Sequence, residues 1–131
     1  MLYLPDTNAC VRFLRNDPRV VAAWAKSGPH LRLSVIVVAE LRHGAAKSGN
    51  PRHREQLDDL VATLPVEPFT LDDTHEYSRI RLALEKKGQP IGPLDLLIAA
   101  QALRLGAVLV THNIREFSRV PGLRCEDWQV A

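Results

Sequence analysis

Asp6, Glu40 and Asp95 are the residues of this chain best placed to do chemistry, because each carboxylate stands among apolar neighbours. Asp6 follows Leu2-Tyr3-Leu4-Pro5, Glu40 follows Val35-Ile36-Val37-Val38-Ala39, and Asp95 lies inside the run Ile91 to Gly106. Acids gathered in one crevice cannot all stay ionised without a counter-charge, and a divalent cation supplies one. Oxygen ligands without cysteine or histidine spacing suit Mg²⁺ or Mn²⁺ rather than zinc. Such an ion activates water and stabilises the charge that develops on a phosphodiester under in-line attack. Each acid also has a plainer reading. Asp95 sits in the first turn of a helix, where the dipole favours negative charge by about 0.3–1 kcal/mol. Asp6, Thr7 or Asn8 could simply cap the helix that follows, and Glu40 could lie on a rim.

The elements that must position these acids follow from punctuation and periodicity. Gly92-Pro93 opens a helix and Gly106 closes it, with apolar residues nearly all round and Leu94, Leu97, Ile98, Gln101 and Leu105 along one side. Leu2-Tyr3-Leu4 reads as a strand running into Asp6, and Leu31 to Ser34 as the next, with Ser34 capping a helix from Val35 to about Lys47. Asp17-Pro18 opens a helix to Lys26, and Arg52 to Leu64 forms an amphipathic one. Val66 to Phe69 is a short edge strand, after which Asp72 or Asp73 caps a helix to Lys87, Asp73 with Glu76 fitting a capping box. Ala107 to Thr111 is a continuous apolar run of the kind found in a parallel strand buried on both faces. Ile114 to Phe117 is a helical turn, and Leu123 to Asp127 a last strand. Strands alternating with helices predict a three-layer α/β domain with a mainly parallel central sheet flanked by helices. In such sheets ligands bind beyond the carboxyl ends of the strands, where Asp6, Thr111 and Asn113 stand.

The 131 residues suit a single domain, 46% hydrophobic and 24% charged. No apolar run approaches a membrane span, and the start of the chain lacks the features of a signal peptide, so the expected location is the cytoplasm. Cys10 and Cys125 are far apart in sequence and are expected to be reduced thiols without chemistry. A net charge of +2 says little about nucleic acid. Basic residues do cluster, at Arg42, His43, Lys47, Arg52, His53 and Arg54, at Arg79, Arg81, Lys86 and Lys87, and at Arg115, Arg119 and Arg124. These are solvated faces or phosphate contacts, and their position relative to a site decides which.

Five pieces in order carry a family likeness: Asp6-Thr7-Asn8; Ala39-Glu40-Leu41 with Gly44; Ile91-Gly92-Pro93-Leu94-Asp95 with Ile98-Ala99-Ala100; Leu109-Val110-Thr111-His112-Asn113 with Arg115-Glu116-Phe117; and Gly122-Leu123 with Asp127-Trp128. Across nearly its whole length the chain resembles the PIN-domain ribonucleases, and among them the VapC toxins of bacterial toxin–antitoxin pairs. The resemblance implies a metal-dependent endoribonuclease in which Asp6, Glu40 and Asp95 hold Mg²⁺ or Mn²⁺ while Asn8 and Thr111 support the site. It further implies transfer RNA as target, a VapB-like antitoxin that covers the enzyme, and a homodimer with Arg42, Arg79 or Arg81 along an RNA path.

Two residues depart from the family pattern. Asn113 stands where many PIN domains carry a further aspartate; it can still orient a water or a carboxylate beside one tightly held ion. Pro5 replaces an aliphatic residue and has no N–H for a neighbouring strand, so it is expected to attenuate the enzyme. A serine or cysteine hydrolase would need a nucleophile elbow or a partnered histidine, and none of the five histidines sits in one. A phosphatase with Asp6 as nucleophile would need a second acid where Asn8 stands. The remaining alternative is a catalytically weakened RNA-binding or antitoxin-binding module on the same fold.

Overall fold

A continuous apolar run has no solvent face to offer, so the strand it forms belongs in the middle of a sheet. In the computed structural model, which describes residues 1–130, that strand is β4 (Val108–Val110), whose residues are at most 3% exposed. It lies parallel to β1 (Tyr3–Pro5) on one side, with Leu4 opposite Leu109, and to β5 (Arg124–Glu126) on the other. β2 (Leu33–Ser34) and β3 (Val66–Glu67) form a second parallel pair, joined to β1 by a single bridge between Tyr3 and Leu31. Every strand pairing among the described residues is parallel, as the alternation of strands and helices predicts.

The single bridge explains how β1 accommodates Pro5. The Tyr3 carbonyl accepts from the Arg32 N–H at 3.0 Å on the β2 side, whereas the Asp6 N–H donates to the Val110 carbonyl at 2.9 Å on the β4 side. Successive residues of a strand aim their backbone groups to opposite sides, so the Pro5 nitrogen faces β2. Pairing with β2 has already ended at Tyr3. The missing donor therefore falls at the end of a strand rather than within a continued ladder, a position where proline is tolerated.

Helix α1 (Thr7–Leu14) starts directly after Asp6, and α2 (Pro18–Ser27) starts at a proline capped by Asp17. Phe13 and Trp24 stack with ring centroids 4.1 Å apart, fixing α1 against α2. The Ser34 hydroxyl caps α3 (Val35–Ser48), and Gly49, at φ 66°, turns the chain back into α4 (Pro51–Thr63). Helix α5 (Leu71–Lys86) packs against α6 (Pro93–Leu105), which runs between the proline and glycine that announce it. The short α7 (Ile114–Phe117) follows β4, and its Phe117 is buried.

The cap of α5 differs from the sequence expectation. Thr70, not Asp72 or Asp73, is the N-cap: its hydroxyl accepts from the Asp73 N–H while the Asp73 carboxylate accepts from the Thr70 N–H at 2.7 Å. Asp73 thus completes the box in place of Glu76. Its side chain is fully buried because it also receives the Arg104 guanidinium from α6. Arg104 lies within 3.7 Å of Glu67 as well, and Glu67 pairs with Arg32.

Beside this network lies Gln101, which belongs to the apolar side of α6 by position yet is 0% exposed and fully bonded. Its amide oxygen accepts from the Ser34 hydroxyl, and its nitrogen donates to the carbonyls of Glu67 (3.3 Å) and Pro68 (3.2 Å). One glutamine therefore ties the start of α3 and the edge at β3 to α6. Cys10 is buried, Cys125 is half-buried, and both are free. No helix among the described residues is long and apolar enough to cross a membrane.

Candidate active site

Parallel pairing of β1 with β4 in the register Pro5 to Val110 brings the next residues, Asp6 and Thr111, side by side at the carboxyl ends. Asp6 is 7% exposed, and its Oδ1 accepts from the Ala9 N–H at 2.9 Å. The capping role is therefore real, and it holds the carboxylate in a fixed orientation. Burial raises Asp6 above the ordinary carboxylate range. Hydrogen bonds from Thr111 and the Ala9 N–H oppose that rise, and the charges of Glu40 and Asp127 add to it. The Thr111 oxygen also accepts from the Asn113 N–H at 2.9 Å, which shapes the turn out of β4.

Glu40 is half-buried on α3, and its Oε1 accepts from the Thr7 hydroxyl at 2.7 Å. Because Thr7 is the residue after Asp6, this bond draws the glutamate toward the aspartate. Asp95 is half-buried in the first turn of α6. Burial raises it first, and then the charges of Glu116, Asp6 and Glu40 in that order. Asp6, Glu40 and Asp95, contributed by three separate elements, thus share one electrostatic environment.

Two further acids act on the cluster, Glu116 on α7 through Asp95 and Asp127 after β5 through Asp6. The sequence signal for Glu116 is its place in Arg115-Glu116-Phe117, an acid one turn beyond the carboxyl end of the buried strand. Asp127 accepts from His112 Nδ1 at 2.9 Å. Asn113 is half-buried at the start of α7 and makes no capping bond with its side chain. Asn8 is exposed in the first turn of α1, two residues after Asp6, and its side chain makes no hydrogen bond among the described residues. The arginines expected on an RNA path are exposed and paired: Arg42 with Asp58 (3.0 Å), Arg79 with Glu76 (2.6 Å), and Arg81 with Glu85 (3.4 Å) and Tyr77 (2.7 Å).

Among the described residues no three histidine, cysteine or acidic side chains are already drawn together as a metal cage. What the cleft presents is a set of hard oxygen donors whose charges repel, with Asp6 and Asp95 both raised. Such a set calls for a hard dication, and the Cys10 thiol, wholly buried and pushed upward by burial, is held as the neutral form that makes a poor ligand.

A parallel sheet with Asp6 at the carboxyl end of β1 and Thr111 at that of β4, joined by acids from α3 and α6, is the architecture of a PIN domain. The PIN-domain family model matches residues 3–123, and the chain belongs to that family. Among its relatives are the VapC ribonucleases. Ribonuclease VapC2 of Rickettsia felis is 38% identical over 98% of each chain. The tRNA(fMet)-specific endonuclease VapC of Salmonella typhimurium is 35% identical over 96% of this chain and 97% of its own. Among solved structures, VapBC2 from Rickettsia felis bound to a DNA fragment from their promoter superposes with a TM-score of 0.92 at 36% identity, covering 98% of this chain and 99% of that one.

Proposed function

We propose that the chain is an endoribonuclease of the VapC kind that hydrolyses RNA phosphodiester bonds in the cytoplasm, depends on Mg²⁺ or Mn²⁺, and is neutralised by a VapB-like antitoxin. The observation that carries this reading is the convergence of Asp6, Glu40 and Asp95 from β1, α3 and α6 into one cleft where burial and mutual repulsion hold Asp6 and Asp95 above their ordinary range. Those three residues would hold the ion, with Glu116 adding its charge. A bound dication supplies an activated water and stabilises negative charge on the phosphate under attack. The chain's own residues prepare the place: Thr7 aims Glu40, while Thr111 and the start of α1 fix Asp6. Asn113 is left to orient a water or a carboxylate. Transfer RNA is the proposed substrate, in keeping with the name of the Salmonella typhimurium relative. Arg42, Arg79 and Arg81 are proposed RNA contacts, since their exposed ion pairs are weak and readily exchanged for phosphates.

The test is cleavage of transfer RNA with and without Mg²⁺ by the parent, Asp6→Ala and Asp95→Ala. The parent should cut only with metal, and both variants should be inactive while keeping the parent's circular dichroism. Cleavage at the parent rate by either variant refutes the site. An uncharged Asn113 favours a second reading, the weakened binding module, and a parent that binds RNA but never cuts it with either metal would establish that instead. A homodimer is also proposed, supported by the exposed Leu82 and Leu94 on α5 and α6. Light scattering at the 14.6 kDa monomer mass would refute it.

A further inference from the structure

An acidic cleft repels the polyanion it is proposed to cut, so the attraction that seats RNA must come from beside the acids rather than from them. A groove of about 320 Å³ between α1 and the α3–α4 hairpin has Thr7 and Glu40 among its lining residues at one end and Arg15 and His53 at the other. His53 is anchored there by a 2.9 Å hydrogen bond between its Nδ1 and the Ser48 hydroxyl. On the opposite side of the same hairpin a hollow of about 400 Å³ is lined by Arg42 and Arg54. Ala45 and Leu57 line both, as the wall between them. Arg15 and Arg54 are exposed and make no ion pair among the described residues, unlike Arg42, Arg79 and Arg81.

Gly44 adds an independent observation. It lies four residues after Glu40, hence on the same face of α3, and it lines the groove. A glycine in a helix interior is unfavourable relative to alanine. Packing does not require it here, because a Cβ at this position would meet no atom within 4 Å. The bare backbone leaves the groove wider exactly one turn from the acid.

We infer that this groove is the path of the RNA strand leaving the acid cleft, and that Arg15 and His53, followed by Arg54 near the hairpin tip and Arg42 farther back on the hairpin's other side, receive its backbone phosphates. The inference rests on the nuclease reading. From Glu40 to Ser48 the helix advances by about 12 Å at 1.5 Å per residue. That matches three to four stacked nucleotides at about 3.4 Å each. Beyond Glu40, the charged side chains that line the groove and the hollow are all basic.

The experiment measures the salt dependence of binding to labelled poly(U) and to bulk transfer RNA by fluorescence anisotropy, in an Asp95→Ala background that does not cut. Each phosphate contact on a single strand contributes about 0.7 to the slope of log affinity against log salt. Arg15→Gln with Arg54→Gln should therefore flatten the slope by about 1.4. The affinity deficit should be about 25-fold larger at 0.1 M than at 1 M salt. Lys26→Gln, which removes one charge from the end of α2, should leave the slope unchanged. Gly44→Ala should melt higher than the parent and bind RNA more weakly, a pairing that mere structural damage does not produce. An unchanged slope in the double arginine variant, with the parent still cutting RNA, overturns the path alone. Loss of antitoxin binding with the RNA slope intact assigns the groove to a protein partner and also overturns it. A parent that neither binds nor cuts RNA removes the path together with the nuclease reading.

Discussion

Replacing Gln101 with leucine preserves the volume at the crossing of α6 with the β2–β3 edge and deletes only the polar links. The Ser34 hydroxyl, fully buried, would still accept from the Ile36 N–H but would have no acceptor for its own proton. A buried donor left unmatched costs about 1–3 kcal/mol. The Glu67 carbonyl loses its donor, while Pro68 keeps a long contact of 3.4 Å from Arg104, adding about 1 kcal/mol. A near-isosteric leucine leaves no cavity. The expected loss is about 2–4 kcal/mol, and for a chain of this size about 3–5 °C of melting temperature accompanies each kcal/mol. Thermal melts of the parent, Gln101→Leu, Ser34→Ala and the double variant close the cycle. Coupling of about 1–2 kcal/mol should emerge, because without the hydroxyl there is no stranded donor. Gln101 lies on the helix of Asp95 and Ser34 caps the helix of Glu40, so Gln101→Leu should also lower metal-dependent cleavage. A melting point within about 3 °C of the parent, together with additive single variants, refutes the reasoning.

Asp95 and Asp6 have raised folded-state pKa values, so each binds its proton more tightly folded than unfolded. These groups favour folding below the ordinary carboxylate range and penalise it as pH rises through their folded values. Metal-free Asp95→Asn should therefore melt above the metal-free parent at pH 7 and lose that advantage at about pH 3; an equal gain at both pH values would exclude the charge as its cause. Arg104→Met leaves the fully buried Asp73 without its cation and should cost about 3–5 kcal/mol by urea denaturation, a loss under about 1 kcal/mol contradicting the pairing. Pro5→Leu should raise stability by no more than about 1 kcal/mol, because pairing with β2 has already ended, and should raise the cleavage rate if Pro5 attenuates the enzyme. A lower melting point with no faster cleavage marks Pro5 as an accommodated strand end.

What could be read in advance was whatever local rules express. An aspartate directly after an apolar strand, an aspartate in an apolar helix bounded by Gly-Pro and Gly, and a five-residue apolar run each announce their surroundings without help from distant residues. Glu116 was not legible in this way, since its influence on Asp95 depends on how α7 settles beside α6. Gln101 was hidden by periodicity: it occupies an apolar position, and only the arrival of Ser34 and the Glu67–Pro68 carbonyls makes an amide the right side chain there. Local acidity likewise masked the cap of α5, because Asp72, Asp73 and Glu76 suggested a box that Thr70 in fact begins. The basic cluster from Arg42 to Arg54 had no direction until α3 and α4 folded into a hairpin beside α1.

Pairing the first strand with the fourth sets a timetable for biosynthesis. Residues 3–5 leave a ribosome long before the partner they require, residues 108–110, is made. A nascent chain that stops before α6 carries Asp6 and Glu40 but neither Asp95 nor Glu116, and it lacks the strand that places Asp6 next to Thr111. Contacts this distant in sequence form late because a long loop must be closed before they can repay its entropy. A chain proposed to cut RNA is thus built so that a product ending before α6 lacks part of the site while still attached to the machinery, itself made of RNA, that is producing it.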